Sequence, residues 1–122
     1  MNIKKILIVD DTAVARRILK SCIPRAEDYE FHEAEDGVKG LEVSRNIRPD
    51  LTFMDINMPN MDGMDCLEQI IKVNPRAVVV MCSAEINPKS SQKATSLGAF
   101  STIMKPPTKD SLLQVLAKMQ DR

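Results

Sequence analysis

With 122 residues, 43% of them hydrophobic, the chain has enough material for one core and too little for two, so a single domain spanning residues 1–122 is expected. Its 17 basic and 17 acidic residues cancel, which removes the electrostatic case for direct contact with nucleic acid or an anionic membrane surface. No stretch approaches the roughly 18 apolar residues of a membrane span, and the opening MNIKKILIVDD lacks a secretory signal, so a cytoplasmic protein without membrane insertion is expected.

In chain order, the first strand-like run is KILIV at 5–9, which ends at Asp10 and Asp11. Residues 14–22 follow as a helix with Val14, Ile18, Leu19 and Cys22 on one face. The second strand is YEFHEA at 29–34, and Val38 and Leu41 mark the second helix. The third strand, LTFM at 51–54, runs straight to Asp55 and then breaks at Pro59 and Gly63. Met64, Leu67, Ile70 and Ile71 define a third helix over 64–71, and AVVVM at 77–81 is the fourth strand. The stretch PKSSQKATSLGA, rich in Ser and Thr and without an apolar stripe, predicts a marginal fourth helix and a candidate moving part. FSTIM at 100–104 is the fifth strand, and Leu112, Leu113, Val115, Leu116 and Met119 mark the last helix.

Cys22, Cys66 and Cys82 are odd in number and far apart, which argues for three buried thiols over a disulfide framework or a zinc site. His32 has no Cys or second His nearby and is read as structural. Regular alternation of strands and helices, with strands one, three and four continuously apolar, predicts an α/β fold with a parallel sheet covered on both faces. Right-handed crossovers then bring the C-terminal ends of all the strands to one edge, where open α/β sheets bind ligands.

The residues at those ends are Asp10 and Asp11, Asp55, Ser83 and Lys105. Singly, each has a plain use: Asp11 or Ser83 as a helix cap, Asp55 in a turn, Lys105 in solvent. Together, three acids at one edge repel one another unless a cation sits among them, and carboxylate oxygens suit Mg²⁺. Lys105 adds a point charge and Ser83 a hydroxyl for a phosphoryl group. Competing phosphate chemistries fit less well. The loop DDTAVA is acidic and without glycine, unlike a dinucleotide-binding loop, and no G-x-x-x-x-G-K-[ST] is present. An aspartyl phosphatase would carry a second acid two residues after its nucleophile, where this chain has Asn57.

The segments VDD at 9–11, MDINMPNMDG at 54–63, CSA at 82–84 and KP at 105–106 resemble the receiver domain of bacterial two-component response regulators, over nearly the whole chain. The resemblance implies a flavodoxin-like, doubly wound five-stranded sheet in the order 2-1-3-4-5 with five helices. It implies that Asp55 is the phosphoacceptor. Mg²⁺ would be bound directly by Asp11, Asp55 and the backbone carbonyl of Asn57, with Asp10 acting through water. The family further implies that Lys105 and Ser83 engage the phosphoryl group, that the Lys105–Pro106 bond is cis, and that Asn57 and Glu85 tune phosphate lifetime.

The chain departs from the pattern at two places. Thr102 stands where the family's aromatic switch residue is usual, with Phe100 two residues earlier as a substitute on the same strand face or as core packing. KPP at 105–107 also replaces lysine-proline-aromatic. The expectation is a stand-alone receiver, a monomer or weak dimer, of a size commonest in chemotaxis. It would catalyse only its own phosphorylation and dephosphorylation. Its donor would be a histidine kinase or phosphotransfer protein, and its output protein would contact the face made by helix 4, strand 5 and helix 5. The alternative is a phosphorylation-independent interaction module, which Thr102 favours and the retained acids oppose.

Overall fold

The computed structural model describes residues 3–120; residues 1, 2, 121 and 122, the ends of the expected domain, lie outside the described residues. The elements are β1 Lys5–Val9, α1 Ala13–Cys22, β2 Glu30–Ala34, α2 Gly37–Ile47, β3 Leu51–Asp55, α3 Gly63–Val73, β4 Val79–Ser83, α4 Pro88–Ser96, β5 Ser101–Met104 and α5 Lys109–Gln120, with one 3-10 turn at Ala26–Asp28. All strand pairs are parallel, in the order β2-β1-β3-β4-β5. This is the expected doubly wound sheet.

Strand alternation divides the core between two faces. Ile6, Ile8, Leu51, Phe53, Val80 and Cys82 meet Leu19 of α1 and Leu112, Val115 and Met119 of α5. Leu7, Val9, Met54, Val79 and Met81 meet Leu67 and Ile70 of α3 and Ala94 of α4 on the other. β3 and β4 are buried along their whole length. Slipping either by one residue would turn every side chain to the opposite face, so burial on both sides fixes the register that delivers Asp55 and Ser83 to the sheet edge.

Several sequence expectations are corrected. β4 runs from Val79 to Ser83 rather than over 77–81, because pairing of Asp55 with Cys82 and of Ser83 with Met104 carries the ladder past the apolar run. For the same reason Asp55 and Ser83 are the last residues of their strands, and not the first residues after them. Val14 and Ile18 do not face the core: they are 62% and 43% exposed, and Leu19 is the only buried residue of α1. Val38 is also exposed, since α2 buries Gly37 and Gly40 instead; a Cβ on Gly40 would sit 2.9 Å from both Val9 γ-carbons. Cys22 is only half-buried, whereas Cys66 and Cys82 are buried, and burial pushes both of those thiols up to about 12. β5 begins at Ser101, so Phe100 lies outside the strand. Phe100 packs against the core cluster that includes Ile103 on the α1/α5 side, under the Lys118 ammonium, so the core-packing reading holds and the substitute reading, which needs a face shared with Thr102, does not.

α4 buries little beyond Ala94, and its start is held by a capping box. The Asn87 side chain accepts from Ser90 N at 2.9 Å, and Ser90 Oγ accepts from Asn87 N at 3.2 Å. Asn87→Ala should cost about 1 kcal/mol, confined to this helix. Native-state hydrogen exchange should show α4 amides opening roughly fivefold more often, with the central strands unchanged.

Candidate functional site

β1 ends at Val9 and hands the chain to Asp10, which is buried although charged. Asp10 N–H donates to Ala34 O at 3.0 Å, and its Oδ1 accepts from Thr12 N at 3.0 Å. Thr12, and not Asp11, is the N-cap of α1, accepting from Ala15 N. Asp11 is left exposed at the mouth of the site. Asp55 is buried at the end of β3. Carboxylate oxygens of Asp10, Asp11 and Asp55 all lie within 4.8 Å of one another. Three hard anionic oxygens at that spacing fit a divalent cation such as Mg²⁺.

Lys105 crosses the cluster. Its Nζ lies 2.5 Å from Asp10 Oδ2 and 3.4 Å from Asp55 Oδ2. The backbone holds it there: Lys105 N–H donates to Ser83 O at 2.8 Å. The Lys105–Pro106 peptide is cis. Ser83 does not cap a helix, because Asn87 does that; the Ser83 hydroxyl instead donates to Glu85 O at 3.0 Å and accepts from Glu85 N at 3.1 Å. Asn57 and Glu85 are exposed, with the Asn57 N–H 3.4 Å from Asp55 Oδ1 and Glu85 held to the Ser83 hydroxyl. Thr102 is half-buried in β5 opposite Met81.

The loop after Asp55 turns tightly. Met61 N–H donates to Pro59 O, Asn60 adopts the left-handed conformation that Asn tolerates, and Gly63 N–H donates to Ile56 O at 2.8 Å. The Asn60 side-chain amide reaches Asp36 Oδ2 at 2.9 Å. Between α1 and the 105–107 loop lies a cavity of about 260 Å³ walled by Leu19, Phe53, Ile103 and Pro107, with Asp10, Asp55 and Lys105 at its polar side. One participant escaped sequence reasoning: Arg16, whose guanidinium reaches the Asp10 carbonyl. No motif announces it, because its two partners lie on other elements.

Burial, reinforced by the neighbouring Asp10 charge, lifts the Asp55 carboxyl above its ordinary value despite the attraction of Lys105. Burial opposes the Lys105 ammonium too, yet the hydrogen bond to Asp10 and the charges of Asp55 and Asp10 leave its value raised. For a carboxyl with a raised native value, the folded state binds the extra proton, so its contribution to stability is present below the unfolded value of about 4 and lost as pH rises. At neutral pH without metal, ionised Asp55 is therefore a net cost. Asp55→Asn should melt on the order of 3 °C higher in metal-free buffer, with the gap closing as pH falls toward 4. Millimolar Mg²⁺ should raise the wild-type melting temperature by binding the native state and leave Asp55→Asn nearly unmoved.

The family model described as response regulator receiver domain matches residues 6–117. The chain is 35% identical over 116 residues to a chemotaxis protein CheY of Thermotoga maritima, covering 95% of this chain and 97% of that one. It is 36% identical over 114 residues to the chemotaxis protein CheY of Bacillus subtilis, covering 93% and 95%. Among solved structures, the CheX–CheY–BeF3–Mg²⁺ complex of Borrelia burgdorferi superposes with a TM-score of 0.88 at 28% identity, covering 96% of this chain and 89% of that one. The chain belongs to the response regulator receiver domain family of two-component signalling.

Proposed function

We propose that the chain, as one receiver domain, takes a phosphoryl group onto Asp55 in a Mg²⁺-dependent reaction and changes its affinity for a partner as a result. The observation that carries this reading is the placement of the buried Asp55 carboxylate within 4.8 Å of Asp10 and Asp11 and 3.4 Å from the Lys105 ammonium. Asp11, Asp55 and the Asn57 carbonyl would hold the metal, with Asp10 behind them. The metal, when bound, neutralises charge on the oxygens of the transferring group. An Asp55 oxygen attacks phosphorus while the bond from phosphorus to the donor's leaving atom breaks. A carboxylate is a weak nucleophile, so the chain's contribution is to place it on a buried strand and to offer Lys105 to the developing charge.

The Ser83 hydroxyl, which donates to Glu85 O at 3.0 Å, would rotate to the phosphoryl oxygens and draw the β4–α4 loop with it. The donor would be a histidine kinase or phosphotransfer protein in the cytoplasm. The output partner would read the α4–β5–α5 face, where Thr102, Met104, Gln114 and Lys118 line an open groove of about 730 Å³. Among the described residues, no helix is long and apolar enough to cross a membrane. The Borrelia relative is named in complex with CheX, BeF3 and Mg²⁺, which supports the same kind of metal and partner here.

Thr102 supports a second reading, a scaffold that binds partners without phosphorylation. Intact mass after incubation with acetyl phosphate and Mg²⁺ separates the two. One added phosphoryl group in the wild type, absent in Asp55→Asn, is the expected result. No addition to a folded, Mg²⁺-binding wild type would favour the scaffold.

A further inference from the structure

Arg16 sits in α1 with its guanidinium held between acceptors from two other segments. Its Nε donates to Glu33 Oε1 of β2 at 2.7 Å, and its Nη1 donates to the main-chain oxygen of Asp10 at 2.6 Å. Only 16% of the side chain is exposed. The Asp10 carbonyl belongs to the peptide that joins Asp10 to Asp11, so this contact fixes the plane from which Asp11 departs. Asp11 needs such help. Its carboxylate is exposed and has no hydrogen-bond or ion-pair partner among the described residues, yet it stands within 4.8 Å of the Asp10 and Asp55 oxygens.

We infer that Arg16 is a positioning residue for divalent-cation binding: anchored by Glu33, it holds the Asp10 carbonyl and so fixes how the chain presents Asp11. The inference rests on the reading of Asp10, Asp11 and Asp55 as the Mg²⁺ site. Charge and geometry make opposite demands here. A guanidinium beside a cation site repels the cation, so if only its charge mattered, removing Arg16 would tighten Mg²⁺ binding. Glu33, which also pairs with Lys20 at 2.9 Å, offsets that charge and leaves geometry as the main effect. Arg16→Lys separates the two, because it keeps the charge while an ammonium lacks the planar fork that serves both acceptors at once.

The experiment is calorimetric titration of the full chain with MgCl₂ for wild type, Arg16→Lys, Arg16→Gln and Lys20→Ala, each checked for metal-free thermal unfolding. Both Arg16 variants should bind Mg²⁺ about tenfold more weakly, the usual effect of losing a group that orients a ligand. Lys20→Ala, which breaks the other ion pair to Glu33 and touches no ligand, should bind as the wild type does. With acetyl phosphate, half-saturating Mg²⁺ should rise by the same factor in Arg16→Lys, while the rate at saturating Mg²⁺ stays within about twofold. Unchanged or tighter Mg²⁺ binding in Arg16→Lys overturns the inference, as does an equal loss in Lys20→Ala, which would make the effect one of general stability. Arg16→Lys keeps the test decisive should Arg16→Gln not fold. Failure of the wild type itself to bind Mg²⁺ would overturn the underlying site reading, and this inference with it.

Discussion

Lys105→Ala should leave a folded protein that takes up phosphate from acetyl phosphate about 10²–10³-fold more slowly at saturating Mg²⁺, the usual loss on removing one preorganised charge from a reacting centre. The fold should survive because the sheet holds Lys105 by its backbone: the N–H to Ser83 O bond does not involve the side chain. The site, however, loses its only cation among the described residues within salt-bridge distance of Asp10 and Asp55. Two buried carboxylates then face each other unbalanced, which should cost about 2 kcal/mol in metal-free buffer. Mg²⁺ should restore much of that stability and little of the rate, since a metal can balance the resting acids but does not occupy the ammonium's place. Lys105→Arg tests the distinction: it keeps the charge, so metal-free stability should return, but its bulkier planar head should recover little of the rate. Wild-type rates in Lys105→Ala would remove the role assigned to this side chain.

The parts legible in the sequence were those written in one local pattern. Asp10, Asp55, Ser83 and Lys105 each stand at the end of an apolar run, and parallel topology brings strand ends together whatever the loops do. Helix faces were less legible. Val14 and Ile18 repeat at helical spacing with Leu19, yet only Leu19 is buried in α1, because periodicity finds a stripe without saying what covers it. α2 misled in the opposite sense. Its contact with β1 is made through Gly40 against Val9, so the buried face carries no apolar side chain at the point of closest approach, and Val38 drew attention to the solvent side. The end of β4 was set by ladder pairing with β3 and β5, a long-range property that hydrophobicity along one strand cannot report. Phe100 illustrates the same limit. A strand starting one residue later than the apolar run was enough to turn its ring to the α1/α5 core. Arg16 was silent for a related reason: Glu33 lies 17 residues away, and the Asp10 carbonyl that completes its fork is backbone, which no residue type marks.

Gly63→Ala should be among the most damaging single substitutions near the site, although it adds one methyl group and its residue begins an ordinary helix. A Cβ at Gly63 would lie 2.1 Å from Asp55 O, 2.8 Å from Ile56 Cα and 2.9 Å from Asp55 C. Every one of those atoms is backbone, so no side chain can rotate away, and either α3 or the end of β3 must move. Moving α3 breaks the Gly63 N–H to Ile56 O bond and disturbs the packing of Met64 and Leu67; moving β3 displaces the Asp55 carboxylate. The expected cost is about 3 kcal/mol, a melting temperature lower by roughly 10 °C. Phosphorylation of the remaining folded protein should fall at least about 10²-fold, since displacements near 1 Å are that costly to a positioned nucleophile. Gly98→Ala is the control. Gly98 has a φ of +105°, and its added methyl would meet the Ile71 side chain, at 3.1 Å or more, and no backbone atom of the site. It should lose about 1–3 kcal/mol through backbone strain and phosphorylate at the wild-type rate. If Gly63→Ala behaves as Gly98→Ala does, keeping the rate while losing stability, the close approach of α3 to Asp55 supports the fold and not the placement of the carboxylate.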